Sequence, residues 1–253
     1  MPKRIYYLPL NPTKKMPVMV GLPGIVTEDE PSKDTVLEEL SNHRIAGIRM
    51  NYPNIVRSED GKTITCKFNL DSFLKAISDT FKHIIKTPEY DQTRIGILAS
   101  SISAGIFGHY LTRINEKSRF KVQVSISPFT AWTDYGTKED RVSIEKNRQD
   151  IDIRLGRDRE KGISRIIPHS YLGQVKRFDS IGALELTITA PKPAAVLTLA
   201  GKEDQISKKE SMTRYHQLVS GPTQKMLWFE NEGHELPYKK TEPIIIDWIK
   251  KHI

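Results

Sequence analysis

Residues 94–111 read RIGILASSISAGIFGHYL, and their periodicity changes partway along. Ile95 to Ala99 are apolar or small and read as a short buried strand. From Ser103 the apolar period is helical, with Ile102, Ile106, Tyr110 and Ile114 on one face. A strand therefore meets a helix at Ser101. Two residues to either side stand Ala99 and Ser103, both small, as a sharp strand-to-helix turn requires when its central side chain projects from the carboxyl edge of a sheet. Ala104, Gly105 and Gly108 let the helix lie close on the strand layer. Ser101 is thereby a candidate nucleophile. The segment also reads as an ordinary loop with Ser100 or Ser103 as the helix N-cap, so the rest of the chain has to decide.

Working outward, Ile5 to Leu10 reads as a strand ending in the turn Asn11-Pro12-Thr13, and Pro17 to Val20 as another. The loop Gly21-Leu22-Pro23-Gly24 follows, which is either a tight turn or a set of backbone N–H groups aimed into a cleft. Asp34 to His43 is a helix with Val36, Leu37 and Leu40 inward, Ile45 to Met50 a strand, and Arg57 to Lys62 a polar loop. A helix capped by Asn69 or Asp71 then turns Leu70, Phe73, Leu74, Ile77, Phe81, Ile84 and Ile85 to one side.

Beyond the central segment, Val122 to Ser127 is a strand closed by Pro128-Phe129. Strands alternating with helices imply a mostly parallel sheet with helices on both faces, the α/β class. From about 130 to 192 the alternation stops, leaving a possible hairpin around Gly156 to Gly162 and a helical piece around Tyr171 to Phe178. Long irregular segments in compact folds are usually functional covers or disordered, and this one is expected to be a cap inserted in a core made of residues 1–129 and 193–253. Alternation resumes with strand Ala194 to Ala200, a helix from Ser207 or Lys208 to Val219, strand Lys225 to Phe229, and helix Thr241 to Ile253.

At 253 residues the chain suits one α/β domain. No apolar run approaches a membrane span or a signal peptide, so a cytoplasmic protein without a membrane partner is expected. One cysteine, Cys66, excludes an internal disulfide, and the seven histidines show no metal-ligand spacing, so neither metal nor cofactor is expected. The net charge of +8 raises nucleic acid as a partner. The charges are interspersed, however, and the densest cluster (Arg154, Arg157, Arg159, Lys161, Arg165) is interrupted by Asp158 and Glu160, which points to a solvated surface and no nucleic-acid partner.

A serine hydroxyl needs an adjacent base, itself oriented by a carboxylate, to act as a nucleophile near neutrality. Loops after three of the strands supply, in chain order, Ser101, then Asp204 in Gly201-Lys202-Glu203-Asp204, then His234 in Asn231-Glu232-Gly233-His234-Glu235. Each alone could be a cap or a turn residue. With GLPG at Gly21, ASSIS at Ala99, AGKED at Ala200 and NEGHE at Asn231, the chain resembles an α/β-hydrolase, and more narrowly the small intracellular esterase and acyl-hydrolase branch with an insertion between the sixth and seventh strands of the standard sheet.

The resemblance implies Ser101, His234 and Asp204 as the triad, with Asp204 rather than Glu203 as its acid, and the backbone N–H groups of Leu22 and Ile102 as the oxyanion hole. It departs from the family at Val20, where many relatives have His, and at Ser103, which replaces the second elbow glycine and either tightens the turn or donates a side-chain hydrogen bond. Within the cap, Trp132 and Tyr171 are expected to line an apolar pocket for a small-molecule ester, with Arg154, Arg157, Arg159 and Arg165 at its rim or on a solvated outer face. A peptidase, thioesterase or lyase on the same fold, or a non-catalytic ligand binder, is the alternative. No feature specifies an oligomeric state.

Overall fold

Seven strands form the main sheet: β1 (Arg4–Tyr7), β3 (Ala46–Met50), β2 (Met16–Leu22), β6 (Tyr90–Ser100), β7 (Phe120–Ile126), β10 (Ala195–Gly201) and β11 (Thr223–Phe229), in that spatial order. The computed structural model describes residues 4–11, 15–24, 31–114, 120–153, 162–187 and 192–253. β1 runs antiparallel to β3, and every other neighbouring pair is parallel.

The chain leaves β2 outward to β3 and returns to β6 on the other side of β2. The order therefore reverses between β2 and β6, and at the carboxyl ends of such a pair an open α/β sheet leaves a crevice. The structure places Gly21 and Leu22 in the last rungs of the β2 ladder and not in a loop. They lead into Pro23 and Gly24 at one of those ends, and Ser101 stands at the other.

Alternation along the strands sorts the core into two layers. Val18, Val20, Leu22, Ile97 and Ala99 join the cluster under α2 (Leu70–Lys86), α3 (Ile102–Arg113) and α7 (Lys209–Val219), through Phe73, Ile77, Ile106 and Tyr215. Met19, Leu98, Leu197 and Leu199 join the opposite cluster, under α1 (Pro31–Asn42) and α8 (Tyr238–His252), through Val36, Leu37, Leu40, Ile245 and Ile249. Of the two caps offered by the sequence for α2, Asn69 is used, its side chain accepting from Ser72 N. The last helix begins at Tyr238, three residues before the sequence-based start, and contains Pro243 in its second turn.

The segment between β7 and β10 is more ordered than its composition suggests. It carries α4 (Lys138–Lys146), closed by a reciprocal cap between Thr137 and Asp140, then β8 (Ile151–Asp152) and β9 (Ser164–Ile167). A 3₁₀ turn at His169–Tyr171 leads into α5 (Leu172–Lys176) and α6 (Ser180–Leu186), the latter capped by Asp179. β8 and β9 belong to a second sheet, in the order β4-β5-β9-β8, whose other strands are β4 (Ile55–Arg57) and β5 (Thr63–Cys66). The polar stretch 57–62 is thus the tip of a hairpin, and the strand Thr63–Thr65 pairs with Ser164–Ile166 a hundred residues later. The hairpin expected around Gly156 to Gly162 lies almost wholly outside the described residues. One face of this second sheet packs Ile64, Cys66, Ile151 and Ile167 into the main core, while Val56 stands on the other face in solvent.

Gly105 marks the tightest approach of α3 to its surroundings. A Cβ there would lie 2.4 Å from the Phe129 carbonyl oxygen and 2.6 Å from Phe178 Cζ. Gly105→Ala is expected to lower stability by about 1–3 kcal/mol through overpacking against backbone that cannot swing aside. Gly173→Ala, with nothing within 4 Å of the new methyl, should be neutral or slightly stabilising. Urea midpoints of the two variants check the contrast, and equal midpoints would contradict it.

Two imidazoles, the half-buried His109 and the buried His216, add an acid-side liability. Burial pushes His109 down to about 4 and lowers His216, whose Nδ1 shares a 2.8 Å hydrogen bond with Thr198 Oγ1. Below the ordinary histidine value of about 6.5 the unfolded chain takes up protons that the folded chain resists, so stability is expected to fall as pH drops from about 6.5 toward 4. Urea midpoints between pH 7 and pH 4.5 read this slope directly. It should be shallower in His109→Gln, and an identical slope in that variant would remove His109 from the account.

Candidate active site

β6 ends at Ser100, and Ser101 turns the chain into α3 with φ 52° and ψ −131°. A residue carrying a Cβ rarely enters this region, and holding it there costs on the order of 1–3 kcal/mol. Three main-chain hydrogen bonds offset that cost. Ser101 N donates to Ile126 O at 2.8 Å, and Ser101 O accepts from Ala104 N and Phe129 N, both at 3.1 Å. Two of these reach the end of β7 and the segment after it, so the turn is fixed from the neighbouring strand. Ser101 makes no side-chain cap for α3, which leaves its hydroxyl free for other partners.

β10 and β11 bring the other two residues alongside. Lys202 N donates to Phe229 O and Glu203 N to Glu232 O, each at 3.0 Å, which zips the two strand-end loops together. Gly201 permits this crossing, because a Cβ there would meet Gly233 O at 2.1 Å and Glu232 O at 2.2 Å. Asn231, at φ 55°, turns the second loop back over the sheet edge.

The three side chains meet in a line. His234 Nδ1 lies 2.8 Å from Asp204 Oδ2, and His234 Nε2 lies 2.9 Å from Ser101 Oγ. Asp204 Oδ1 accepts from Ile206 N at 2.8 Å and Ser207 N at 2.9 Å, so both carboxylate oxygens are held. The side chains of Asp204 and His234 are 1% and 9% exposed, which keeps solvent from competing for the pair. An acceptor-only carboxylate at Nδ1 fixes the neutral ring with its proton on that nitrogen and leaves Nε2 to accept from the serine hydroxyl. Glu203 points to solvent and Glu232 pairs with Lys240 at 2.8 Å, so neither acid competes with Asp204.

The remaining sequence candidates are placed as follows. Leu22 is the last residue of β2, in register with Ala99, and Ile102 is the first residue of α3, so their backbones flank Ser101 from two elements. Trp132 is buried: it stacks on Tyr135 at 5.4 Å and directs Nε1 toward Glu145 Oε1 at 3.4 Å, while Glu145 pairs with Lys176 at 2.9 Å. Tyr171 is half-buried against the main core. Arg165 is neither at a rim nor on an outer face, since β9 carries it into the interior at 5% exposure. Arg154, Arg157, Arg159 and Lys161 lie outside the described residues.

Sequence reasoning missed Asp134. It is buried, accepts from Thr130 Oγ1 and Ser211 Oγ at 2.6 Å each, and with the 2.6 Å bond from Lys208 Nζ to Thr133 O ties the segment after β7 to the start of α7. Among the described residues no group of three or more His, Cys, Asp or Glu side chains could hold a metal ion, and no helix is long and apolar enough to cross a membrane.

No family model matches the sequence, and no curated protein does. Solved structures do. A monoacylglycerol lipase from Paleococcus ferrophilus superposes with a TM-score of 0.72 at 16% identity, covering 100% of both chains. Est1E from Butyrivibrio proteoclasticus gives 0.67 at 13% identity over 98% of this chain and 93% of its own. Acetyl xylan esterase 1 from Thermoanaerobacterium gives 0.65 at 15%, over 99% and 78%. At such identities the likeness establishes architecture: this chain has the α/β-hydrolase fold, with a mostly parallel central sheet flanked by helices.

Proposed function

We propose that the protein is a serine carboxylic ester hydrolase. The observation that carries this reading is the continuous hydrogen-bonded line from Asp204 through His234 to a serine held in a strained turn. Ser101 Oγ attacks the ester carbonyl while His234 Nε2 takes its proton. The carbonyl oxygen becomes an oxyanion, held by the N–H groups of Leu22 and Ile102. His234 returns the proton to the leaving alcohol as the C–O bond breaks, giving an acyl-Ser101 ester. Water, deprotonated by His234, repeats the sequence and releases the acid. Asp204 keeps the imidazole in the required tautomer and stabilises its cation. The lipase and esterases among the structural neighbours perform chemistry of this class, which supports the choice of ester over other acyl substrates.

Residues 130–192, joined by the hairpin of β4 and β5, form the cover of this site in our reading. Trp132 anchors the cover by packing, and Tyr171 is the ring of the expected pair that a substrate reaches. The substrate is a small molecule, the reaction needs neither metal nor cofactor, and the single buried thiol of Cys66, pushed up to about 12 by burial, suits a reducing cytoplasm.

The reading is tested with short-chain aryl esters. Ser101→Ala is expected to lower kcat by on the order of 10⁶, down to the assay background, while Ser100→Ala keeps most activity. Asp204→Asn should cost about 10⁴-fold, far more than Glu203→Gln. Substantial turnover by Ser101→Ala would refute the nucleophile, and equal, mild effects of the two acid substitutions would move the acid elsewhere.

A further inference from the structure

Ser103 occupies the elbow position where a glycine is usual, yet it is fully buried and carries a hydroxyl. That hydroxyl donates to the carbonyl oxygen of Pro23, eighty residues away in the loop after β2. The bond joins the first turn of α3, which begins with one expected oxyanion donor, to the loop that follows the other. Pro23 has no N–H, so its carbonyl is the one main-chain polar group through which that residue can be held.

A second hydroxyl stands behind the first. Tyr52, just past β3, is buried, and its Oη faces Ser103 without a hydrogen bond of standard geometry to any described group. Burial keeps the phenol protonated, with the Cys66 thiol beside it. Pro23 O can only accept, so Ser103 Oγ donates to it. Tyr52 is itself packed on Phe73 of α2, 4.7 Å between ring centroids.

We propose that Ser103, backed by the buried Tyr52, is a positioning residue that clamps Pro23 and the end of β2 against the nucleophile elbow and so sets the geometry of the oxyanion hole. The inference rests on the ester-hydrolase reading for its catalytic consequence but not for the tether itself. A hole built from two separate elements works only if their separation is fixed before charge develops, and an error near 1 Å can cost about 10²-fold. A Ser103 hydroxyl supplies this constraint, where the usual glycine could not.

The test compares Ser103→Ala and Tyr52→Phe with the wild type on an aryl acetate, on a trifluoromethyl ketone that binds as a Ser101 hemiketal oxyanion, and by amide hydrogen exchange over residues 21–24. In Ser103→Ala, kcat is expected to fall about 10–100-fold with KM within about twofold, and Ki for the ketone to rise by the same factor as kcat/KM falls. Tyr52→Phe should move the same quantities by less, and exchange at 21–24 should quicken in both. Unchanged kcat and Ki in both variants, even with a lower Tm, would reduce the hydroxyls to packing and overturn the proposal. If Ser103→Ala does not fold, Tyr52→Phe, which removes one oxygen, carries all three readouts. A wild type that neither hydrolyses the ester nor binds the ketone would refute the enzymatic reading instead. Exchange would then decide the tether alone, and unchanged exchange would overturn it.

Discussion

The left-handed backbone at Ser101 is the constraint on which the rest of the structure depends. A strand that ran straight on would bury this side chain in the sheet, and a helix that began without the turn would direct it toward solvent. The turn instead lifts Oγ above the carboxyl edge, at the place where strand order reverses. Its strain is tolerable because Ile126 and Phe129 bond the turn from the adjoining strand and Gly105 lets the following segment press against α3.

Given that fixed serine, the other elements have little freedom. His234 follows β11, two strands beyond β7, and must cross β7 and β10 to reach β6. The crossing is made possible by the backbone bonds between the two loops and by the absence of a side chain at Gly201. Asp204 meets the imidazole with both oxygens already occupied by Ile206 N, Ser207 N and Nδ1, so the carboxylate is fixed in place. Asp134 has the analogous role farther out, where it accepts from Thr130 within the segment after β7 and from Ser211 on α7 and so holds that segment to the helix.

What could be read in the sequence was local. The change of period at Ser101, the glycines at 21, 24, 201 and 233, and the strand-end acid and imidazole are each visible within a dozen residues, and the mostly parallel sheet follows from alternation. The second sheet was not legible because its strands are two to four residues long and Thr63 pairs with Ser164, a hundred residues away. Helix α4 did carry a readable signal, Thr137 with Asp140 three residues on, that its polar composition obscured. Burial of Arg165 depends on that second sheet, whose strand β9 carries it, so composition left this side chain at a rim or on an outer face although it is packed in the interior. The bond from Ser103 to Pro23 spans eighty residues, and no periodicity could announce it.

The most direct measurement is covalent. Incubation of the folded protein with a fluorophosphonate, followed by peptide mapping, asks whether one serine among those of the chain is activated. The account predicts a single stoichiometric adduct on Ser101, lost when the protein is unfolded first. An adduct on Ser100, Ser103 or any other serine, or no adduct under conditions that label a known serine hydrolase, would contradict it.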